Sequence, residues 1–205
     1  MSISTIRLVL WALVGLAVVA VGGLFAWTTL RGPQVAALGD LLAPSDAIGG
    51  DFALVDQDGK PVTREALKGR PAAMFFGFTH CPDVCPTTLA EAGQWLAALG
   101  PDAGKLQFVF VSVDPERDTP EALKQYLSAF DERIRGLTGS QEAVDRVIKA
   151  YRVYARKVQS GSSYVMDHTA AVYLMNADQR FVGTINYQEP TDKALAKLRQ
   201  LIGNG

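Results

Sequence analysis

The stretch from Pro71 to Leu99 limits what this chain can fold into more than any other. Pro71–Thr79 is a dense apolar run in which Met74, Phe75, Phe76 and Phe78 leave no polar face, the pattern of a strand covered on both sides. It runs into "HCPDVCP", which holds both cysteines of the chain, Cys81 and Cys85. Leu89, Ala92, Leu96 and Leu99 then recur at helical spacing. Pro86 suits a first helical turn, where its missing N–H is not needed. A strand buried on both faces needs a layer on each side, and the turn that follows this one carries two thiols to a helix start.

The remaining segments supply those layers. Asp51–Val55 and Lys60–Thr63 read as a hairpin around the turn "DQDG". Leu106–Val113 is a second buried strand, and Thr119 with Pro120 opens a helix. Ser140 caps a helix predicted over Gln141–Ala155, with Ala143, Val147 and Ala150 on one face. Thr169–Met175 is a strand, "NADQ" turns it into Arg180–Tyr187, and an amphipathic helix covers Thr191–Ile202. After the opening hairpin the order is strand, helix, strand, helix, helix, strand, strand, helix. That alternation predicts an α/β sheet with helices on both faces. A strand leading into paired cysteines at a helix start, then a closing hairpin and helix, is the thioredoxin-like arrangement.

The N-terminus stands apart from this core. Leu8–Leu30 holds no charged residue and, as a helix, is about 34 Å long against a hydrocarbon core of about 30 Å. Trp11 and Trp27 lie near its ends, where indoles favour the membrane interface. The run is longer than the apolar region of a cleaved signal peptide and no A-x-A site follows it, so it reads as a transmembrane anchor. Arg7 precedes it, and Asp40, Asp46 and Asp51 follow Arg31, which favours an N-terminus inside and the remainder outside. One arginine before the span is too few for an organelle presequence, which favours a bacterial envelope protein. The expected organisation is a short cytoplasmic segment 1–7, an anchor 8–30, a Pro/Gly/Ala tether 31–49 and a folded domain 50–205. The expected location is the bacterial inner membrane, single-pass, with the C-terminal domain in the periplasm. A formal net charge of −1 offers no footing for nucleic acid.

The cysteine pair admits several readings: buried thiols, a passive disulfide, a redox pair or a metal site. Helix-start N–H groups favour thiolate, the form that attacks disulfides and binds metals. A passive disulfide closing so short a loop stabilises little, and idle thiols outside the cytoplasm tend to oxidise, so the pair reads as a working one. His168, in "VMDHTAAVYLM", lies directly before a predicted strand, in the loop that faces the cysteine turn in a thioredoxin-like fold. Two thiolates and an imidazole form a soft three-donor set suited to Cu(I); Cu(II) binds with added light ligands, and zinc prefers a fourth ligand. His80 neighbours Cys81 but points the other way at a strand end, so it is expected to pack or hydrogen-bond. Asp83 and Asp167 read as exposed loop acids, with orienting a ligand as the alternative. In "SVDPERDTP", Asp114 either approaches the site or, with Pro115, Asp118 and Thr119, belongs to a turn and helix cap. Tyr151–Tyr154 reads as packing. A thiol–disulfide oxidoreductase with incidental copper is the competing class. A peroxidase is disfavoured because no arginine lies close to either cysteine in sequence.

Taken together, "FFGFTHCPDVCP" at 75–86, "VSVDPERDTP" at 111–120, "GLTGS" at 136–140, "AYRVY" at 150–154 and "DHTAAVYLMNADQRF" at 167–181 resemble the Sco/SenC family of copper chaperones. The resemblance runs in order from Gly49 onward and implies a membrane-anchored thioredoxin-like fold. It implies copper bound through Cys81, Cys85 and His168 and delivered to the binuclear copper centre of cytochrome c oxidase, making the copper-centre subunit a partner. A periplasmic copper donor or thiol reductant is the second implied partner. The family has also been assigned thiol–disulfide reductase roles toward oxidase or copper-carrier cysteines. In that redox mode Cys81 is the expected attacking sulfur.

Overall fold

The computed structural model describes residues 47–204, together with Trp11, Gly15 and Leu16, which are helical. The chain divides into two compact units, Met1–Leu41 and Leu42–Gly205. Apart from those three residues and 47–49, the expected segment 1–7, anchor 8–30 and tether 31–49 lie outside the described residues. Among the described residues no helix is long and apolar enough to cross a membrane.

Within the second unit, strands β1 (Ala53–Asp56), β2 (Pro61–Thr63), β3 (Ala72–Gly77), β4 (Gln107–Ser112), β5 (Ile134–Thr138), β8 (Ala171–Met175) and β9 (Phe181–Asn186) form one sheet. Its order is β2-β1-β5-β4-β3-β8-β9. Helices α1 (Arg64–Leu67), α2 (Val84–Leu99), α3 (Pro120–Leu127), α4 (Gln141–Ala150) and α5 (Thr191–Gly203) are interleaved with these strands. The mixed α/β thioredoxin-like expectation is met. Every residue of β3 is buried, as its unbroken apolar run requires, so both faces of this inner strand are covered. Phe76 packs against Tyr151 and Tyr173 with ring centroids 5.5 and 5.4 Å apart. Tyr151 also meets Phe52 at 6.3 Å. Helices α2 and α5 pack against one another.

The register places three chain segments at one end of the sheet. Strands β3 and β4 are parallel and finish level, with Gly77 opposite Ser112. Strand β8 is antiparallel to β3 and pairs Val172 with Phe75, so it begins where β3 ends. The cysteine turn after β3, the loop after β4 and the chain entering β8 therefore emerge together, where open α/β sheets bind their ligands.

Besides the short helix α1, for which no element is expected, two parts of the fold differ from the sequence expectation. Strand β5 lies between β1 and β4, where no strand is expected. Arg135 and Gly136 break its apolar pattern, and both have tertiary reasons. Arg135 pairs with the buried Asp56 at 2.7 Å, while a Cβ on Gly136 would lie 2.5 Å from Leu127 Cδ1 of α3. The helix expected to reach Ala155 stops at Ala150, and Arg152 adopts a positive φ of 53°. The chain then forms a hairpin of β6 (Ala155–Ser160) and β7 (Ser163–His168), a separate two-stranded sheet. Arg156, Lys157 and Gln159 give β6 no apolar alternation, which is why it reads as loop.

Tyr151 is fully buried and its hydroxyl has no hydrogen-bond partner. Deleting an unpartnered buried hydroxyl costs little, whereas deleting the ring leaves a cavity. In chemical denaturation, Tyr151→Phe is expected to stay within about 1 kcal/mol of wild type. Tyr151→Ala is expected to lose about 3–5 kcal/mol.

Candidate metal centre

The cysteine turn is built by the end of β3. Gly77 closes the strand, and its lack of a side chain is a packing requirement: an added Cβ would lie 2.8 Å from both Cys85 Sγ and Phe110 Cε2. The Cys81 N–H then donates to Phe78 O at 3.3 Å, tightening the turn. Helix α2 begins at Val84, two residues before Pro86, so Cys85 sits in its first turn and Cys81 just ahead of it. Asp83 is the capping residue, yet its side chain makes no cap hydrogen bond. The Cys85 N–H donates instead to Cys81 Sγ at 3.4 Å. A sulfur thus takes the acceptor position that an Asp or Ser oxygen fills in most helices.

This arrangement makes the two thiols unequal. Cys81 is partly exposed and Cys85 is fully buried; neither is in a disulfide. A hydrogen bond from Cys85, opposed by burial and reinforced by the His168 imidazole and by the N–H groups of Asp83 and Cys85, brings the Cys81 thiol down to about 4. The same sulfur–sulfur hydrogen bond, followed by burial, pushes Cys85 far up. The two shifts run in opposite directions, so Cys81 is the more acidic thiol and Cys85 the one that keeps its proton longer.

His168 is the last residue of β7, so the imidazole expected on a loop is delivered by a hairpin. Its Nδ1 lies 3.1 Å from Thr169 O. A carbonyl only accepts, so Nδ1 carries the hydrogen of that contact, and Nε2 is the nitrogen that faces the sulfurs. Nε2 points at Cys85 Sγ from 3.5 Å. The ring packs edge-on to Phe78 at 5.6 Å and to Phe75 at 6.2 Å. The donor atoms of Cys81, Cys85 and His168 all lie within 4.8 Å of one another. Two sulfurs and a nitrogen at this spacing can close on one soft metal ion.

The other sequence candidates fall outside this group. His80 is exposed, with Nδ1 3.0 Å from Thr79 Oγ1. Asp83 and Asp167 are exposed, and Asp167 sits opposite Arg156 in the hairpin. Asp114 is buried, ion-paired with Arg117, and accepts the Tyr164 O–H at 2.8 Å. It is therefore neither a donor in the group nor a simple turn residue. Thr119 caps α3 through Ala122 N–H at 3.3 Å, as expected, but Asp118 turns inward. Its carboxylate accepts the Thr79 N–H at 3.1 Å, the Thr79 O–H at 2.7 Å and the Ser112 O–H at 2.7 Å. Residues Thr79, Ser112, Asp118, Arg117 and Tyr164 support the site and were not singled out as site residues from sequence. The available clue was three acids and an arginine crowded directly after a buried strand.

Residues 42–203 match the family model described as SCO1/SenC. The chain is similar to the mitochondrial protein SCO2 of Saccharomyces cerevisiae, 41% identical over 162 residues that cover 77% of this chain and 54% of that protein. It therefore spans about half the length of that relative. It is also 35% identical over 169 residues to an SCO2-like protein of Rickettsia conorii, covering 80% and 82% of the two chains. Among solved structures, that of Bradyrhizobium japonicum ScoI with copper bound is similar with a TM-score of 0.72 and 52% identity, covering 76% of this chain and 99% of that one.

Two outcomes follow from the geometry. With its pKa near 4, Cys81 is thiolate throughout the neutral range. Its alkylation by iodoacetamide, followed by peptide mass spectrometry, should be nearly flat from about pH 5.5 to about pH 8.5, where an ordinary thiol gains about tenfold per pH unit. Cys85 should stay unmodified, and a steep rise at Cys81 would contradict the assignment. Gly77→Ala, which drives a methyl into Cys85 Sγ and Phe110, should cost about 1–3 kcal/mol in denaturant unfolding.

Proposed function

Because this chain belongs to the SCO1/SenC family, we propose that it is a membrane-anchored copper chaperone that holds copper through Cys81, Cys85 and His168. In this reading it delivers the ion to the binuclear copper centre of cytochrome c oxidase. The observation that carries the reading is the convergence of two sulfurs and an imidazole nitrogen within 4.8 Å from segments far apart in the chain. The donor set is soft and three in number, which suits Cu(I) and leaves room for further light ligands on Cu(II). A copper-bound structure of the similar Bradyrhizobium japonicum ScoI supports the choice of metal.

The residues suggest how cargo enters and leaves. The Cys81 thiolate is the exposed donor and needs no deprotonation, so it makes first contact. Cys85 gives up its proton as the ion arrives, and Nε2 of His168 closes the third side. Release reverses this order while a partner's ligands replace them one at a time. Oxidation to a Cys81–Cys85 disulfide removes both thiolates, so the copper-loaded and oxidised states exclude one another. The anchor at 8–30, the placement of 50–205 in the periplasm of a bacterium, a periplasmic copper donor or thiol reductant, and docking to the oxidase copper-centre subunit complete the proposal.

The unequal thiols favour a second reading, a thiol–disulfide reductase acting on oxidase or copper-carrier cysteines. The Cys81 thiolate attacks one sulfur of a partner disulfide, forming a mixed disulfide and releasing the other as thiolate. Cys85 then loses its proton and attacks Cys81 Sγ, releasing the second partner thiolate. Two electrons reach the partner and Cys81–Cys85 is left oxidised.

Metal analysis of the reduced full-length chain separates the two. Wild type is expected to hold one copper, and Cys81→Ser and Cys85→Ser to hold none. His168→Ala is expected to lose more than about 100-fold in affinity, beyond what changes outside the donor set cost. Reduced wild type that exchanges disulfides but holds no copper would leave the reductase reading alone standing.

A further inference from the structure

The geometry points to Arg117 as a positioning residue for His168: it clamps the β6–β7 hairpin so that the imidazole stays over the two sulfurs. The inference rests on His168 being a copper donor and adds what holds it there. The hairpin is a two-stranded sheet of its own, so no ladder of main-chain hydrogen bonds ties it to the main sheet. Its base is fastened where Thr169 N–H donates to Tyr154 O at 3.0 Å and Tyr154 N–H donates to Thr169 Oγ1 at 3.0 Å. Ala155, Val165 and Met166 pack against the core, and beyond those contacts only side chains restrain the ribbon from swinging about its base.

Arg117 opposes that swing from the loop after β4. Its Nη1 donates to Tyr164 O at 3.0 Å, and its guanidinium carbon lies 3.8 Å from the centroid of the Tyr164 ring. Its Nε is held by the fully buried carboxylate of Asp114, which also accepts the Tyr164 O–H at 2.8 Å. Glu116 adds an ion pair to Lys157 of β6 at 2.6 Å. Tyr164 and His168 lie four apart on one strand, so they share a face. Fixing Tyr164 therefore fixes both the height and the facing of His168. Arg117 also lies 5.8 Å from the centroid of the Phe78 ring, which packs on the imidazole. One guanidinium thus touches the strand that carries the histidine and the ring that backs it.

The loop holding Arg117 also holds the cysteine side. Asp118, the next residue, anchors Thr79 two positions before Cys81. The segment 114–118 consequently sets the span between sulfurs and nitrogen, with Asp118 bearing on one half and Arg117 on the other.

A double-mutant cycle on the full-length reduced protein tests this, with Cu(I) affinity read by competition with bicinchoninate. Arg117→Gln is expected to weaken copper binding about 10-fold, the cost of losing support behind a ligand. In a His168→Ala background the same substitution should change nothing. Arg117→Lys, which keeps the cation but loses the fork, should fall between wild type and Arg117→Gln. Tyr164→Leu, a change on the hairpin side, should repeat the pattern and serves if Arg117→Gln fails to fold. The Cys81 alkylation rate should be unaltered in each, showing the thiol half intact. Unchanged affinity in Arg117→Gln and Tyr164→Leu, or an equal loss with and without His168, overturns the clamp while the three-donor site stands. Wild-type affinity in His168→Ala alone removes the site reading, and the clamp with it.

Discussion

Asp118 puts a carboxylate in the protein interior and surrounds it with three donors, the N–H and O–H of Thr79 and the O–H of Ser112. Burial raises its pKa and the three hydrogen bonds work against that rise. An interior carboxylate stripped of partners is costly, so these bonds are obligatory rather than decorative. They join Thr79, two residues past the end of β3, to Ser112, the last residue of β4, through a side chain, just beyond the height where main-chain pairing of the two strands stops. The cysteine turn begins two residues beyond that junction. Its position relative to the loop after β4, and through Arg117 relative to the hairpin, follows from this one buried group.

Chemical asymmetry arises from equally local causes. Cys81 and Cys85 are the same residue type on the same short turn, yet the partly exposed one is pushed toward thiolate and the buried one toward thiol. The helix start separates them: Cys81 precedes it and receives its free N–H groups, while Cys85 lies within it and faces the core beside Gly77 and Phe110. In the two proposed roles such a pair meets either an ion, which displaces the Cys85 proton, or a disulfide, which Cys81 attacks.

Much of this was legible in the sequence where the signal is local. An unbroken apolar run declared β3, Thr119 and Ser140 marked helix starts that the hydrogen bonds to Ala122 and Ala143 bear out, and the cysteine spacing marked the turn. The parts that escaped depend on residues distant in the chain. Arg135 sits within a sheet strand because Asp56 neutralises it, and Gly136 because Leu127 fills the space its side chain would take. Asp118 looks like a turn residue until Thr79 and Ser112 are brought against it. The hairpin bearing His168 shows no clean apolar alternation because Tyr164 meets Arg117 and Asp114 while the adjacent Val165 and Met166 pack against the core. Apart from Trp11, Gly15 and Leu16, the apolar segment 8–30 lies outside the described residues, so its role stays with the sequence argument.

The third donor lies 83 residues beyond Cys85. A ribosome making this chain releases both thiols long before the imidazole exists, and the sheet that brings them together closes only when β8 pairs with β3. Until then the nascent protein offers two sulfurs on an unfinished turn, a poorer trap for an ion than the completed trio. Competence for the proposed copper-holding role is therefore reached only once the chain from the cysteine turn through β8 has come together.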